Sequence, residues 1–168
     1  MIKYELRVSS EMSAPDIKEY FDEFNANGEN CYVLYRLYEV DVDQWLKEAS
    51  TDTHTHHVGL YVNDRLAGIG RVTPHPNHME NGMIGYAIRP SLRGKRYASM
   101  FIRLIEDFCK HLKMDRITAC VDASNFRSLM AFNREGWKAT GIYRWPGDRL
   151  AIEISPKAQH TTYIPISD

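Results

Sequence analysis

The pattern of hydrophobic and polar residues predicts short strands at the start and in the middle of the chain. Residues 1–8 alternate apolar and polar side chains, which is typical of a strand. Residues 56–74 predict a hairpin, because β-branched and apolar positions flank the turn-forming pair Asn63 and Asp64. The polar stretch over residues 75–82 predicts a loop.

Helical spacing of apolar residues predicts three helices before residue 114. The first begins after Ser13, a capping residue, and ends at Gly28. Residues 41–50 predict a short second helix, and residues 97–113, with a continuous apolar stripe, predict the third. Residues 31–40 are ambiguous, because their aromatic and β-branched content favours a strand while their periodicity also fits a buried helix.

The rest of the chain alternates strands and helices. The predicted elements are a strand over 83–90, a buried strand over 116–123, a helix over 125–136, a hairpin over 137–155 and a tail over 156–168. This order predicts a mixed α/β (α+β) protein with one central sheet. Because no linker or repeat interrupts the pattern, we expect a single domain over residues 1–168.

Composition limits the cellular environments and the classes of partner that we expect for this protein. The formal net charge is -1, so we expect no bulk attraction to nucleic acid or to anionic lipid. The three cysteines are widely spaced and odd in number, which favours free thiols in a reducing cytoplasm. The start of the chain lacks the apolar core of a signal peptide, and no apolar run is long enough to span a membrane.

The turn before the third helix is the strongest candidate binding site. The first amides of a helix have no partner within it, and together with the helix dipole they attract anions. Gly94 lets the backbone approach a ligand closely, and Arg93, Lys95 and Arg96 add positive charge. A phosphate site and a solvated basic loop are both open on these residues alone.

The segment around this turn, IGYAIRPSLRGKRYASMFIRLIEDF, resembles the acetyl-coenzyme A signature of the GNAT N-acetyltransferase family. That signature is Arg/Gln-x-x-Gly-x-Gly/Ala after a strand. Arg93, Tyr97 and Ala98 fit it, while Arg96 stands where the family has glycine. We expect Arg96 to be tolerated, because helical backbone angles suit any residue and its charge adds a cationic partner for phosphate.

A second segment, NFRSLMAFNREGW, is similar to the family's Asn-x-x-Ser motif with its later Gly-aromatic step. Asn125, Ser128, Gly136 and Trp137 fit that pattern. Both motifs occur with the expected helix and strand between them, and the resemblance is strongest over residues 58–154.

The resemblance implies the GNAT acyl-coenzyme A N-acyltransferase fold, a central and mostly antiparallel sheet flanked by helices. It also implies acetyl-coenzyme A as co-substrate, with the strands around Ala87 and Cys120 splayed apart to hold the pantetheine arm. Backbone groups of Ile88 would meet that arm and polarise the thioester carbonyl. The cofactor-binding residues it implies are Ile88, Arg93, Gly94, Lys95, Arg96, Tyr97, Ala98, Ser99, Asn125 and Ser128.

The resemblance further implies direct attack of a neutral amine on the acetyl thioester, aided by a base, an oxyanion donor and an acid for the thiolate. The positions that usually supply the base or the acid hold Met83, Cys120 and Phe132 here. Candidate substitutes lie elsewhere. They are Tyr143, Glu80 and Asp122, with Tyr97, His75 and His78 more simply explained as core or loop residues.

Three other groups of residues have simple structural explanations. His54 and His56 could share a strand face and bind a metal, but no third ligand can be named, so we expect a solvated loop and no metal. Asp41 is interpreted as a helix cap, and Cys120 as a small core residue. The aromatic run over residues 32–38 is interpreted as core, with the wall of an acceptor pocket as the alternative.

We therefore expect a cytoplasmic enzyme that moves acetyl from acetyl-coenzyme A to a primary amine. A non-catalytic acyl-coenzyme A-binding module of the same fold is the alternative, because the usual catalytic positions are vacant. The acceptor stays open between a small-molecule and a peptide amine. A homodimer also stays open, since such folds often dimerise but no residue argues for it.

Overall fold

The computed structural model describes residues 1–75, 78–114 and 116–156; the side chains of residues 75 and 78–80 lie outside this description. The predictions made for the side chains of His75, His78 and Glu80 therefore lie outside the described residues. The same holds for the predicted tail from residue 157 onward.

Seven strands form one sheet, in the spatial order β1-β2-β3-β4-β5-β7-β6. The strands are β1 Tyr4–Val8, β2 His56–Val62, β3 Arg65–His75, β4 His78–Ile88, β5 Arg116–Asp122, β6 Lys138–Trp145 and β7 Arg149–Ser155. Every neighbouring pair is antiparallel except β4 and β5, which are parallel. The predicted mixed α/β class and mostly antiparallel sheet are confirmed.

Four α-helices pack on the sheet. They are α1 Ala14–Ala26, α2 Val42–Thr51, α3 Tyr97–His111 and α4 Phe126–Arg134. Ser13 and Asp41 cap α1 and α2 through their side chains, as predicted, because each side-chain oxygen accepts a first-turn amide proton at 3.3 and 2.8 Å. No helix in the described part of the chain is long and apolar enough to cross a membrane.

Each face of the sheet carries its own hydrophobic core. The α3/α4 core joins the two later helices to the sheet, and its members include Val58, Leu60, Ile84, Phe101, Ile105, Val121 and Phe132. The α1/α2 core lies on the opposite face, and its members include Ile17, Tyr20, Phe24, Leu34, Trp45, Tyr61 and Ile69. Because side chains alternate along a strand, a strand residue next to a member of one core points to the opposite face of the sheet.

A glycine brings α3 close to the sheet. An added Cβ at Gly70 of β3 would lie 2.7 Å from Ile105 Cδ1 and 3.1 Å from Phe101 Cζ. Both side chains belong to the buried stripe of α3. The small residue therefore sets the distance between α3 and β3, and with it the position of the turn that leads into the helix.

The ambiguous residues 31–40 form a 3₁₀ helix over Tyr32–Tyr38. Leu34 interrupts the regular geometry with φ of -120°, and its side chain is buried in the α1/α2 core. The interpretation as core holds for half of the segment only. Tyr32 and Tyr35 are exposed, because the tight turn directs them away from the apolar side chains.

Most of the predicted loop over residues 75–82 belongs to strand ends instead. β3 extends to His75 and β4 begins at His78, where we predicted a loop over residues 75–82. Main-chain hydrogen bonds between β3 and β4 hold these strand ends together although the residues are polar. The loop was predicted from that polarity, and the prediction was wrong for this reason. His57 lies in β2, within the predicted hairpin, with its ring 5.1 Å from that of Trp45, and burial lowers its pKa to about 4.

The expected helical geometry of Arg96 is wrong. Arg96 is the residue before the first turn of α3, and its backbone is left-handed, with φ of 64° and ψ of 14°. A glycine adopts this conformation without cost, whereas a residue with a Cβ is strained there. The family's glycine at this position therefore has a conformational reason, and Arg96 departs from it at a cost in stability.

Replacing Arg96 by glycine is expected to raise the free energy of unfolding. Relief of the left-handed strain contributes about 1 kcal/mol, with the gain reduced by the greater freedom of glycine in the unfolded chain. The midpoint of urea unfolding would measure it. Lys95→Gly is the matched control, since it removes a charge from the same turn at a residue whose φ is negative. Equal destabilisation by both variants would contradict the expectation.

Candidate active site

The parallel pair β4 and β5 separates along its length. The two strands pair at three positions only, from Asn81–Arg116 to Met83–Thr118. β4 then continues to Ile88 and β5 to Asp122, and in the described chain the ladder between them does not continue. A wedge-shaped slot therefore opens between the ends of the two strands, as the resemblance implied.

The backbone of Ile88 is directed into this slot. Arg89 donates its N–H to Ala67 O of β3 at 2.8 Å. Because successive peptide groups of a strand point to opposite sides, the N–H and C=O of Ile88 point away from β3, toward β5. The carbonyl accepts a hydrogen bond from Arg93 Nε at 3.1 Å. The N–H is oriented as a contact with an inserted pantetheine arm requires.

The turn before α3 has the backbone shape of an anion-binding nest. Gly94 has φ of 79° and Arg96 has φ of 64°, while Lys95 between them has a negative φ. Such alternation turns successive N–H groups toward one concave side. All three residues are exposed, and an added Cβ at Gly94 would meet nothing within 4 Å. The turn is therefore open to a ligand from solvent.

The first turn of α3 adds further donors. α1, α2 and α4 each have a side chain that accepts a first-turn amide proton, whereas α3 has no side-chain cap. The amides of Tyr97, Ala98 and Ser99 are the first three of the helix and have no partner within it. Together with the dipole of this 15-residue helix, they favour an anion at this point.

The side chain of Arg93 is engaged within the protein. Its guanidinium donates two hydrogen bonds to Glu29, at 2.7 and 2.6 Å, and lies 5.4 Å from the ring centre of Phe24. The same hydrogen bonds hold the pKa of Glu29 below its usual value. Arg93 therefore fixes the turn to the end of α1, and its own charge is balanced before any phosphate arrives.

Two other side chains of the predicted cradle also point inward. Ser99 Oγ accepts a hydrogen bond from Arg134 Nε of α4 at 3.3 Å. The ring of Tyr97 packs at the edge of the α3/α4 core, 6.2 Å from the ring of Tyr4. These residues offer main-chain amides to a ligand, while Lys95 and Arg96 are the exposed cationic side chains of the turn and form no ion pair with the described residues.

Asn125 and Ser128 lie at the start of α4, beyond the end of β5. Asn125 Oδ1 accepts the N–H of Ser128 at 3.2 Å and so caps the helix. The amide nitrogen of Asn125 keeps its two protons for another partner. Ser128 Oγ lies 3.2 Å from the hydroxyl of Tyr86. Both residues border the slot, and their binding of a pantetheine arm stays a prediction.

Tyr86 is a site residue that the sequence did not reveal. It lies on the part of β4 that pairs with β3 but no longer with β5, and its hydroxyl lies 3.2 Å from Ser128 Oγ of α4. Its ring packs 5.6 Å from that of Phe132, at the α4 position where the family often has a tyrosine. Burial raises the pKa of Tyr86, so the hydroxyl keeps its proton at neutral pH. The alternation of side chains along β4 puts Tyr86 on the same face as Ile84 and Ile88. Only the structure shows that its hydroxyl contacts Ser128.

Tyr143, one of the predicted catalytic residues, is bound to a carboxylate. Its hydroxyl donates to Glu153 Oε2 at 2.8 Å, across the β6–β7 hairpin. Burial first, and then this hydrogen bond, raise the pKa of Tyr143 to about 12.

Burial and the charge of Glu153 likewise raise the pKa of Cys120 to about 11. The expectation that Cys120 is a core residue is wrong, since it is half-buried on the face opposite the α3/α4 core.

Asp122, a second predicted catalytic residue, shapes the turn after β5. Its Oδ1 accepts hydrogen bonds from the hydroxyl and the amide of Ser124, at 2.6 and 2.9 Å. These hydrogen bonds lower its pKa, and Arg149 lies 3.8 Å away. The carboxylate is thus already satisfied locally. A catalytic role for Asp122 stays a prediction, as does that of Glu80, whose side chain lies outside the described residues.

No group of three or more metal-ligating side chains comes together among the described residues. His56, weighed as a metal ligand, instead packs its ring 5.9 Å from that of Phe108.

Comparison with known proteins agrees with this geometry. A family model described as the acetyltransferase (GNAT) domain matches residues 10–138. The chain belongs to the GNAT acetyltransferase family. Its class as an N-acetyltransferase, predicted from the two sequence motifs, is confirmed, and acetyl-coenzyme A is the acetyl donor that this family uses.

Solved structures of several N-acetyltransferases share the fold. A chimera of spermidine N-acetyltransferase SpeG from Vibrio cholerae and hSSAT has a TM-score of 0.70 at 17% identity, over 90% of this chain and 93% of that chain. Campylobacter jejuni PseH in complex with acetyl coenzyme A has a TM-score of 0.66 at 15% identity, over 92% of this chain and 100% of that chain. Ribosomal-protein-alanine N-acetyltransferase from Brucella melitensis has a TM-score of 0.70 at 14% identity, over 90% of this chain and 98% of that chain.

No curated protein sequence matches the chain. At these identities the solved structures establish the fold, and the acceptor has to be argued from the site itself.

The Arg93–Glu29 pair is expected to stabilise the turn by about 1 kcal/mol, because the bidentate geometry is favourable but both side chains remain partly solvated. A double-mutant cycle of Arg93→Gln and Glu29→Gln, followed by urea unfolding at pH 7, would measure this coupling. The pKa of Glu29 is lowered in the folded state, so the coupling is present above its ordinary value and is lost as pH falls through the lowered one. A coupling that survives at pH 2 would contradict the ion pair.

Proposed function

We propose that this protein transfers the acetyl group of acetyl-coenzyme A to a primary amine. The observation that carries the proposal is the proximity of two features along one stretch of chain. The slot between β4 and β5 ends at Ile88, and the uncapped start of α3 follows within ten residues. A ligand with an extended arm and a diphosphate fits both at once.

The diphosphate would rest on the turn over residues 94–99. The alternating φ values and the first amides of α3 supply main-chain donors, and Lys95 and Arg96 supply exposed charge. The arm would then enter the slot along β4, where the N–H of Ile88 faces β5. Asn125 and Ser128 would meet it from the opposite edge.

The reaction would proceed by direct attack. The neutral amine adds to the thioester carbonyl and forms the C–N bond, and the N–H of Ile88 stabilises the oxyanion. The adduct loses an N–H proton to solvent and then collapses, which breaks the C–S bond. Tyr86 would donate its hydroxyl proton to the departing thiolate, because its hydroxyl crosses the slot and stays protonated at neutral pH. Phe132 cannot supply this proton, and its ring is buried beside Tyr86.

A non-catalytic acyl-coenzyme A-binding module is the second candidate. The observation that favours it is the absence of ionisable side chains at Met83 and Phe132, where family members often have them. Release of free thiol from acetyl-coenzyme A in the presence of amines separates the two. Binding of acetyl-coenzyme A without any thiol release would support the module.

Spermidine and ribosomal-protein alanine are the acceptors in the names of two structural neighbours. Both are amines, which supports an amine acceptor here without choosing between a small molecule and a peptide. A single domain over residues 1–168 and a cytoplasmic location remain part of the proposal.

Replacing Gly94 by glutamate is expected to abolish acetyl-coenzyme A binding, because the side chain adds bulk and negative charge at the proposed diphosphate site. Isothermal titration calorimetry would measure the affinity. Gly147→Glu is the matched control, since Gly147 has φ of 80° and equally open surroundings in the β6–β7 turn, so that backbone strain is the same. Unchanged affinity of Gly94→Glu would remove the site from this turn.

Replacing Tyr86 by phenylalanine is expected to lower kcat by about 100-fold, the lower end for a lost general acid, since thiolate is a fair leaving group. The ring contacts with Phe101 and Phe132 remain, so folding and KM for acetyl-coenzyme A should change little. Ser128→Ala removes about one hydrogen bond, or 0.5–1.5 kcal/mol, and should have the smaller effect on kcat. A Tyr86→Phe enzyme with full kcat would exclude Tyr86 as the acid.

A further inference from the structure

Glu153 lies one strand away from the slot, on the face where an acceptor can approach. It is paired in register with Cys120 of β5, the strand that forms one edge of the slot. Ile152 and Ile154 beside it point into the α3/α4 core, so the side chain of Glu153 points to the other face of the sheet. Neighbouring strands lie about 4.8 Å apart, so the backbone of Glu153 is one strand spacing from Cys120 at the edge of the slot.

This face of β5, β6 and β7 lies outside the α1/α2 core, although Thr140, Ala151 and Ser155 on it are buried. The α1/α2 core contacts β2, β3 and β4, and none of its members comes from the three later strands within the described residues. Cys120 and Glu153 are accordingly half-buried instead of buried. Glu153 therefore keeps part of its surface in contact with solvent.

Two hydroxyl groups hold the carboxylate in place. Thr140 Oγ1 donates to Oε1 and Tyr143 OH donates to Oε2, each at 2.8 Å. A β-bulge between Ala139 and Gly141 shifts the register there, beside Thr140. Each carboxylate oxygen accepts one of these bonds and retains a lone pair for a further donor.

The charge of Glu153 has no partner among the described side chains. The ion pairs of the described residues include that of Asp122 with Arg149 on the same face, but none includes Glu153. The titratable groups that face it are Cys120 and Tyr143, and both keep their protons at neutral pH because their pKa values are about 11 and 12. An anion fixed by two neutral donors is suited to a cationic ligand.

We propose that Glu153 binds the ammonium group of a primary aliphatic amine acceptor and removes the proton that the amine must lose before it attacks. The inference rests on the proposed acetyl transfer and assigns its missing base to β7. One N–H bond of the ammonium breaks, and the proton passes to the carboxylate. The freed nitrogen lone pair adds to the thioester carbonyl and forms the C–N bond of a tetrahedral intermediate, which loses the second amine proton to solvent. The intermediate then collapses to the amide, the C–S bond breaks, and the thiolate takes a proton from Tyr86. Tyr86 regains its proton from solvent, and Glu153 releases its proton there.

This assignment places the base where the sequence shows a vacancy. Cys120 stands at a strand position where family members carry an acidic residue, and Glu153 is its direct cross-strand neighbour. A carboxylate on β7 reaches the same side of the sheet as one on β5 would. The vacancy at Cys120 is thus filled from the next strand.

The test compares Glu153→Gln with the native protein in a thiol-release assay with propylamine and benzylamine, whose amino groups are cationic at neutral pH. We expect kcat/KM for the amine to fall about 100-fold at pH 7. The deficit should shrink as pH approaches the pKa of the amine, because free amine then needs no base. Asp148→Asn, a carboxylate change in the same hairpin at a φ of 59° that asparagine tolerates, is the control and should retain full activity.

Glu153→Asp provides a second variant, since it keeps the charge and shortens the side chain. It should recover part of the lost rate at pH 7, whereas a purely structural role would leave it no better than glutamine. A deficit of Glu153→Gln that is equal at every pH, or no deficit, would overturn the assignment. No turnover of either amine by the native protein would overturn the acceptor class, while intact acetyl-coenzyme A binding in calorimetry would leave the coenzyme site standing.

Alkylation of Cys120 by iodoacetamide gives a readout that needs no turnover. Glu153→Gln should speed the reaction at pH 8, because removal of the neighbouring negative charge lowers the pKa of the thiol. Cys31 and Cys109 are buried and should stay slow in both proteins. An unchanged rate at Cys120 would place the carboxylate away from the slot and would also overturn the proposal.

Discussion

The short parallel ladder between β4 and β5 is the constraint on which the site depends. Parallel strands need a crossover connection, and here α3 provides it, so the end of β4, the basic turn and the start of α3 are consecutive. Because pairing stops at Met83 and Thr118, the strand ends diverge and leave main-chain groups facing a slot. An extended ligand that lies along β4 therefore arrives with its charged end at the helix start.

Much of this arrangement could be predicted from local sequence. The apolar stripe of α3, the caps Ser13 and Asp41, and the strand on each side of the slot all follow from periodicity and capping chemistry. The two motifs added the family and the coenzyme. Local patterns succeed here because each element satisfies its own backbone and buries its own face.

The sequence could not supply facts that arise from tertiary contact. Arg93 looks like a phosphate ligand until Glu29, far away in the chain, is seen to bind it. Arg96 fits a helix by position, but the turn gives it a left-handed backbone. Glu153 resembles any exposed residue of a hairpin until the register pairs it with Cys120. In each case the contact that decides the role of the residue is made in the folded structure, and the local sequence pattern does not reveal it.

The segment that leads from β4 to the proposed diphosphate turn has three contacts with α1 and the residues just after it. Besides the Arg93–Glu29 pair, Arg89 donates to Glu19 at 2.5 Å and the amide of Ser91 donates to Glu23 at 2.7 Å. α1 belongs to the opposite face of the sheet, where its core meets β4. If coenzyme and amine bind as proposed, these contacts provide a route for coupling between them, and any effect of one on the affinity of the other would be reciprocal.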